Sequence, residues 1–211
     1  MATVVEQYAT LEDESAGPVT QVSPKPTAPP PAKLTLEQAE KLANGKSFEL
    51  INGRMVFKMP DDQHSDAQGL LCIELGIYFK ANPIGLVRPE FTHRLWPDSP
   101  YEGRVPALSV ILNENLKEGE RYATRAPDIA IEIVSRDDGW SALFEKADLY
   151  LEKGSRVVWI VDPYQKAVVV VTPNDRRWVR DTLTCPEILP GFSINVQDIF
   201  SWLAKTSKTT E

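Results

Sequence analysis

The sequence predicts an α/β domain: a mixed central β-sheet flanked by helices, preceded by an N-terminal helix and a β-hairpin. Three observations carry that expectation. Asn52-Gly53 separates two short apolar runs, and such a pair suits a two-residue hairpin turn whose central residues both need positive φ. Arg156-Val-Val-Trp-Ile-Val-Asp162 is an unbroken apolar run, as expected of a strand covered on both faces. Between it and the apolar segment 128–134 lies an amphipathic stretch, 141–153, of the length a crossover helix needs to set two strands parallel.

Taken in order, Thr35-Leu-Glu-Gln38 fits a capping box, opening a short helix that stops near Asn44-Gly45. The hairpin occupies 48–57. Residues 63–80 read as a second helix, with Ala67, Leu70, Leu71, Leu75 and Tyr78 along one stripe. Extended segments follow at 86–95, 104–112 and 128–134, joined by polar loops at 96–103 and 113–126. The helix at 141–153 turns Leu143, Ala147, Tyr150 and Leu151 inward and ends at Gly154. After the strand at 156–162 come a turn at 162–165, a strand at 167–172, a last strand at 178–183 and a closing helix at 196–203.

The ends read differently. From Gly17 to Pro31 there are six prolines and few large apolar groups, too little to offset the entropy of ordering. Residues 1–33 are therefore expected to form a disordered arm, 34–204 the folded domain, and 205–211 a disordered tail. No stretch approaches the ~18 consecutive apolar residues of a membrane span. The start, Met1-Ala-Thr-Val-Val-Glu-Gln, shows no basic region leading into an apolar one, so a cytoplasmic location is expected. Cys72 and Cys185 read as reduced thiols, and two cysteines with two histidines exclude a cysteine-rich zinc site. A net charge of −7 argues against a broadly basic nucleic-acid-binding face, but not against a local groove or acidic metal ligands.

Chemistry is sought where polar groups stand in apolar places. In Ile129-Ala-Ile-Glu-Ile-Val134 the isoleucines share one face, and Glu132 shares the other with Ala130 and Val134. A lone carboxylate there would cost several kcal/mol, roughly, unless paired or metal-bound. It is either a metal ligand or one half of a structural ion pair. Lys146 precedes inward-facing Ala147 on the crossover helix, so its ammonium could meet Glu132; the plainer alternative is a solvated lysine. Glu49, between Phe48 and Leu50, either reaches the same crevice or faces water. His64 and His93 read as structural, and no phosphate loop, Gly-x-Ser-x-Gly elbow or zinc helix occurs.

Several stretches in this order resemble the Uma-two restriction endonuclease family, a branch of the PD-(D/E)XK nucleases. They are Phe48-Glu-Leu-Ile-Asn-Gly-Arg54, Ala126-Pro-Asp-Ile-Ala-Ile-Glu-Ile-Val-Ser135, Lys146-Ala-Asp-Leu-Tyr150, Gly154, Val158-Trp-Ile-Val-Asp-Pro163 and Leu189-Pro-Gly-Phe192. The resemblance spans about 34–200. It implies a restriction-endonuclease-like core and Mg²⁺- or Mn²⁺-dependent hydrolysis of DNA phosphodiesters. It also implies that Glu132 holds the metal, Lys146 steadies the attacking water or developing charge, and Glu49 completes the site. The family's second core strand normally reads Arg-x-Pro-Asp, whereas this chain has Arg104-Val-Pro-Ala107. The missing carboxylate has to come from elsewhere, with Glu49 and Glu90 as candidates, or the fold is catalytically inactive and kept for binding or assembly. Asp128 stands four residues before Glu132, about 13 Å away at ~3.3 Å per strand residue. The two-fold symmetry of duplex DNA would suit a homodimer.

Overall fold

The computed structural model describes residues 32–201. The expected arm and tail fall outside the described residues, apart from Ala32 and Lys33 at the arm's end. Helix α1 (Leu36–Ala43) starts at the capping box, where Thr35 and Gln38 each accept from the other's backbone N–H. It ends at Asn44 in the left-handed region, with φ 51°. The hairpin pairs β1 (Phe48–Ile51) with β2 (Arg54–Phe57) around Asn52 and Gly53, whose φ values are 51° and 76°. Leu34 anchors the turn by donating its N–H to the Gly53 carbonyl at 3.0 Å.

The central sheet has six strands in the order β3 (Gly85–Pro89), β4 (Leu108–Leu112), β5 (Ile129–Ile133), β6 (Val157–Asp162), β7 (Ala167–Thr172) and β8 (Asp175–Val179). β5 and β6 pair in parallel; the other neighbours are antiparallel. Alternation along β5 divides the core. Ile129, Ile131 and Ile133 pack with Ala67, Leu71 and Leu75 of helix α2 (Asp62–Ala81). Ala130 and Val134 pack with Leu143, Ala147 and Tyr150 of helix α3 (Trp140–Glu152). Each fully buried isoleucine contributes roughly 1.5–3 kcal/mol. The sheet is thus sealed on both sides, and α3 is the crossover between the parallel pair.

Four elements differ from the sequence reading. β3 stops at Pro89 because Glu90 takes a left-handed φ of 48°, which no regular strand accommodates. β4 begins only at Leu108; Pro106, with no N–H to give, precedes it. The single strand expected at 178–183 is two, since β8 breaks at Arg180-Asp181 and β9 (Thr182–Cys185) pairs instead with an unforeseen β10 (Leu189–Asn195). The closing segment is a 3₁₀ turn, Val196–Phe200, rather than an α-helix. Leu189, Phe192, Ile199 and Phe200 close the core beside α2.

The hairpin carries Glu49 and leads into Lys58, so its turn sets the position of both. A β-carbon on Gly53 would lie 2.6 Å from Lys33 Cβ, on a backbone that L-residues avoid. Gly53→Ala is expected to destabilise the protein by about 1–2 kcal/mol, read as a lower urea midpoint at unchanged slope.

Candidate active site

Three elements converge on one ammonium group. Glu132 projects from β5 toward α3 and is 5% exposed. Lys146 lies on the facing side of α3, and its Nζ is 2.9 Å from Glu132 Oε1. The same Nζ is 2.9 Å from Oε1 of Glu49, which β1 brings in from the hairpin. The sequence left open whether Glu49 faced water; it is 8% exposed and also accepts the Val105 N–H at 2.8 Å. Tyr150, one turn after Lys146 on α3, donates its hydroxyl to Glu132 Oε1 at 3.0 Å.

The electrostatics follow from burial and proximity. Desolvation would lower the Lys146 ammonium, but Glu132 and Glu49 outweigh it and hold its pKa above the usual lysine range. Burial pushes the Glu49 carboxyl up, while Lys146, Lys58 and the Val105 N–H together bring it below the usual carboxylate range. Burial and the negative charge of the two carboxylates drive the Tyr150 hydroxyl well above its ordinary value, so it remains a donor.

A second ammonium, Lys58, follows β2 and lies 4.0 Å from Glu132 Oε2 and 3.9 Å from Glu90 Oε2. Glu90 is held by Ser47 Oγ and by Gln68 Nε2, and Gln68 also donates to the Ala107 carbonyl at 2.8 Å. Three carboxylates against two ammonium groups leave one unit of negative charge. Lys58, Gln68 and Tyr150 escaped the sequence reading. Tyr150 carried a usable signal, four residues from Lys146 on one helix face; Lys58 and Gln68 did not, since only tertiary pairing brings them in.

The remaining polar candidates serve the scaffold. Asp128 Oδ2 accepts the Leu112 N–H and Oδ1 the Asn115 amide, at the other end of β5. His93 is fully buried, bonded through one ring nitrogen to the Arg125 carbonyl and through the other to Ser109; burial lowers its pKa to about 4 and keeps it neutral. His64 is 5% exposed, but its Nδ1 has no hydrogen-bond partner among the described residues.

A family model described as "Putative restriction endonuclease", Uma2, matches residues 35–197. The chain belongs to the Uma2 family. A solved crystal structure from Anabaena variabilis, described as a "putative nuclease", matches with a TM-score of 0.68 at 23% identity. The match covers 81% of this chain and 99% of that one, which shows the shared fold. No curated protein matches. Among the described residues no helix is long and apolar enough to cross a membrane.

A metal ion in this Uma2 domain would have to fit these residues. Among the described residues no three His, Cys, Asp or Glu side chains converge as a closed cage requires. A hard ion such as Mg²⁺ needs less, one or two carboxylates with water and substrate oxygens completing its shell. Glu132 Oε2 makes no hydrogen bond with the described residues and faces a cation, Lys58, at 4.0 Å, in a crevice of net negative charge. The donor set fits.

Lys146→Met would leave Glu132 and Glu49 buried against each other without their cation, at a cost of ~3 kcal/mol or more near neutral pH. In the wild type, the lowered Glu49 pKa contributes stability above the ordinary value of 4.5 that is lost as pH falls through its folded value. In Lys146→Met the cation that holds the Glu49 carboxyl down is gone while its burial remains, so the mutant's deficit should shrink toward pH 4. Urea midpoints across pH 4–7 check both the size and the direction.

Proposed function

We propose that this Uma2 domain, residues 34–204, is a metal-dependent endonuclease of the PD-(D/E)XK type that hydrolyses DNA phosphodiester bonds. One observation carries the reading: a buried Glu132 and a buried Glu49 grip the same Lys146 ammonium where strand, hairpin and crossover helix meet. The family membership supports it. The two cysteines are free thiols, which suits the cytoplasm.

Glu132 would hold the ion, Mg²⁺ or Mn²⁺, through its unbonded Oε2. When bound, such an ion lowers the pKa of a coordinated water and neutralises charge on the phosphoryl oxygens. Tyr150 and Lys146 occupy the other carboxylate oxygen and so fix which way the free one points. Lys146 stays charged throughout the physiological range and offers donors to an oxygen on which negative charge builds. Glu49 is a positioning residue: it holds the ammonium from the hairpin side, itself fixed by the Val105 N–H. Cutting both strands of a duplex would call for two copies related by a two-fold axis.

A second reading has one observation in its favour. The resemblance implies an aspartate where this chain has Ala107, and a methyl group ligates nothing; the domain would then be an inactive nuclease fold used for binding or assembly. Plasmid DNA incubated with Mg²⁺ or Mn²⁺ separates the two. Nicking by the wild type that drops at least 100-fold in Glu132→Gln and in Lys146→Met, with folding verified by circular dichroism, is the expected result. Cleavage only by Ala107→Asp establishes the inactive fold. Cleavage indifferent to Glu132 overturns the site assignment.

A further inference from the structure

We infer that Glu90 takes the place of the missing aspartate, reaching over Ala107 to form with Glu132 a two-carboxylate divalent-cation site that Lys58 fills when no metal is bound. The inference deepens the proposed nuclease reading and rests on it for its biological meaning, but not for its chemistry.

The sheet register makes the argument. β3 and β4 pair Pro89 with Leu108, and β4 and β5 pair Leu108 with Ile131. One residue further along, Glu90, Ala107 and Glu132 fall level on three neighbouring strand ends. Strands lie about 4.8 Å apart, so the two outer Cα positions are separated by roughly 10 Å. A side chain at the middle position would stand between the two glutamates. Alanine puts only a buried methyl group there, and the two longer carboxylates approach one cation from either side.

The structure shows a cation shared by the two glutamates. Lys58 Nζ is 3.9 Å from Glu90 Oε2 and 4.0 Å from Glu132 Oε2, beyond hydrogen-bonding distance to either. It balances both carboxylates without occupying their lone pairs. Glu90 is aimed by its surroundings: Gln68 holds Oε1 while bracing the Ala107 carbonyl, and the Glu90 N–H reaches that carbonyl at 3.2 Å. His64, one turn before Gln68 on α2, adds an independent sign. It is buried, its Nδ1 has no partner among the described residues, and Lys58 and Glu90 are the charges that act on it most. A buried ring nitrogen with no hydrogen-bond partner among the described residues, on the helix whose Gln68 holds Glu90, leaves a polar position for a further group to satisfy.

The charge balance agrees. Lys146 is committed to Glu49 and Glu132 at 2.9 Å, whereas Lys58 stands 3.9 and 4.0 Å from its two carboxylates and so gives up less on displacement. An ion replacing Lys58 would exchange one positive charge for two in a crevice that carries one negative charge in excess.

Mn²⁺ titrated into the full-length protein, followed by EPR of the free ion and by calorimetry, tests this directly. The wild type should bind one Mn²⁺, Glu90→Gln should weaken binding at least tenfold, and Lys58→Met should tighten it severalfold. Ala107→Asp placed on Glu90→Gln should restore binding, which a merely misfolded variant could not do. Glu90→Gln binding like wild type, or no binding in either wild type or Lys58→Met, overturns the inference. Glu132-dependent cleavage that ignores Glu90→Gln would sink it while leaving the nuclease reading intact. Glu90-dependent Mn²⁺ binding without cleavage by any variant would do the reverse.

Discussion

The Lys146 ammonium joins pieces of chain that are nearly a hundred residues apart. It reaches the hairpin through Glu49, the central strand through Glu132 and, through its own backbone, the crossover helix. Removing three charges from water costs several kcal/mol per ion, which their attraction repays only when the geometry is close and the remaining lone pairs are used. The first condition holds, with contacts of 2.9 Å, and the second holds in part: Tyr150 and the Val105 N–H take further carboxylate positions, while Glu132 Oε2 accepts no hydrogen bond from the described residues. A core built for stability alone would do as well with three apolar side chains of similar volume. That a charged triad stands here, at the mouth of an otherwise apolar sheet, is the physical reason to regard it as functional.

The site also depends on where two strands stop. β3 ends because Glu90 adopts a conformation that costs a non-glycine residue about 1–2 kcal/mol. That turn lifts its side chain out of the ladder and toward the crevice, while its N–H remains bonded to Ala107. β4 starts late because Pro106 precedes it. Both interruptions fall at the same end of the sheet, and the polar groups gather there. The opposite end of β5 shows the contrast: Asp128 has both oxygens committed to scaffold donors.

What could be read from the sequence was whatever is local. The capping box at Thr35 and the Asn52-Gly53 turn involve residues within three positions of one another, and both form as expected. Glu132 stood out because a charge in an apolar strand is costly whatever lies around it. Glu49 was ambiguous because alternation in a two-stranded hairpin does not say which face is covered. Lys58 and Gln68 gave no signal at all: a lysine after a strand and a glutamine on a helix are ordinary surface residues until a distant strand arrives. The β9–β10 pair was hidden for a related reason. Gly191 takes a φ of 78°, and the chain bulges there yet continues as a strand.

Net charge completes the physical picture. The chain carries −7 overall, and its crevice is negative by one unit, so a polyanion approaching the site meets repulsion at both long and short range. A phosphodiester added to that crevice would raise the excess further unless a cation accompanied it. Two ammonium groups cannot offset three carboxylates and a phosphate; one divalent ion in place of Lys58 brings the sum back toward neutrality. Substrate and ion are therefore expected to bind cooperatively. The usual strategy of a basic groove, which holds nucleic acid whether or not the metal is present, is not written into this composition. Selectivity for the loaded state would follow from charge alone, without any moving part beyond the displacement of one lysine.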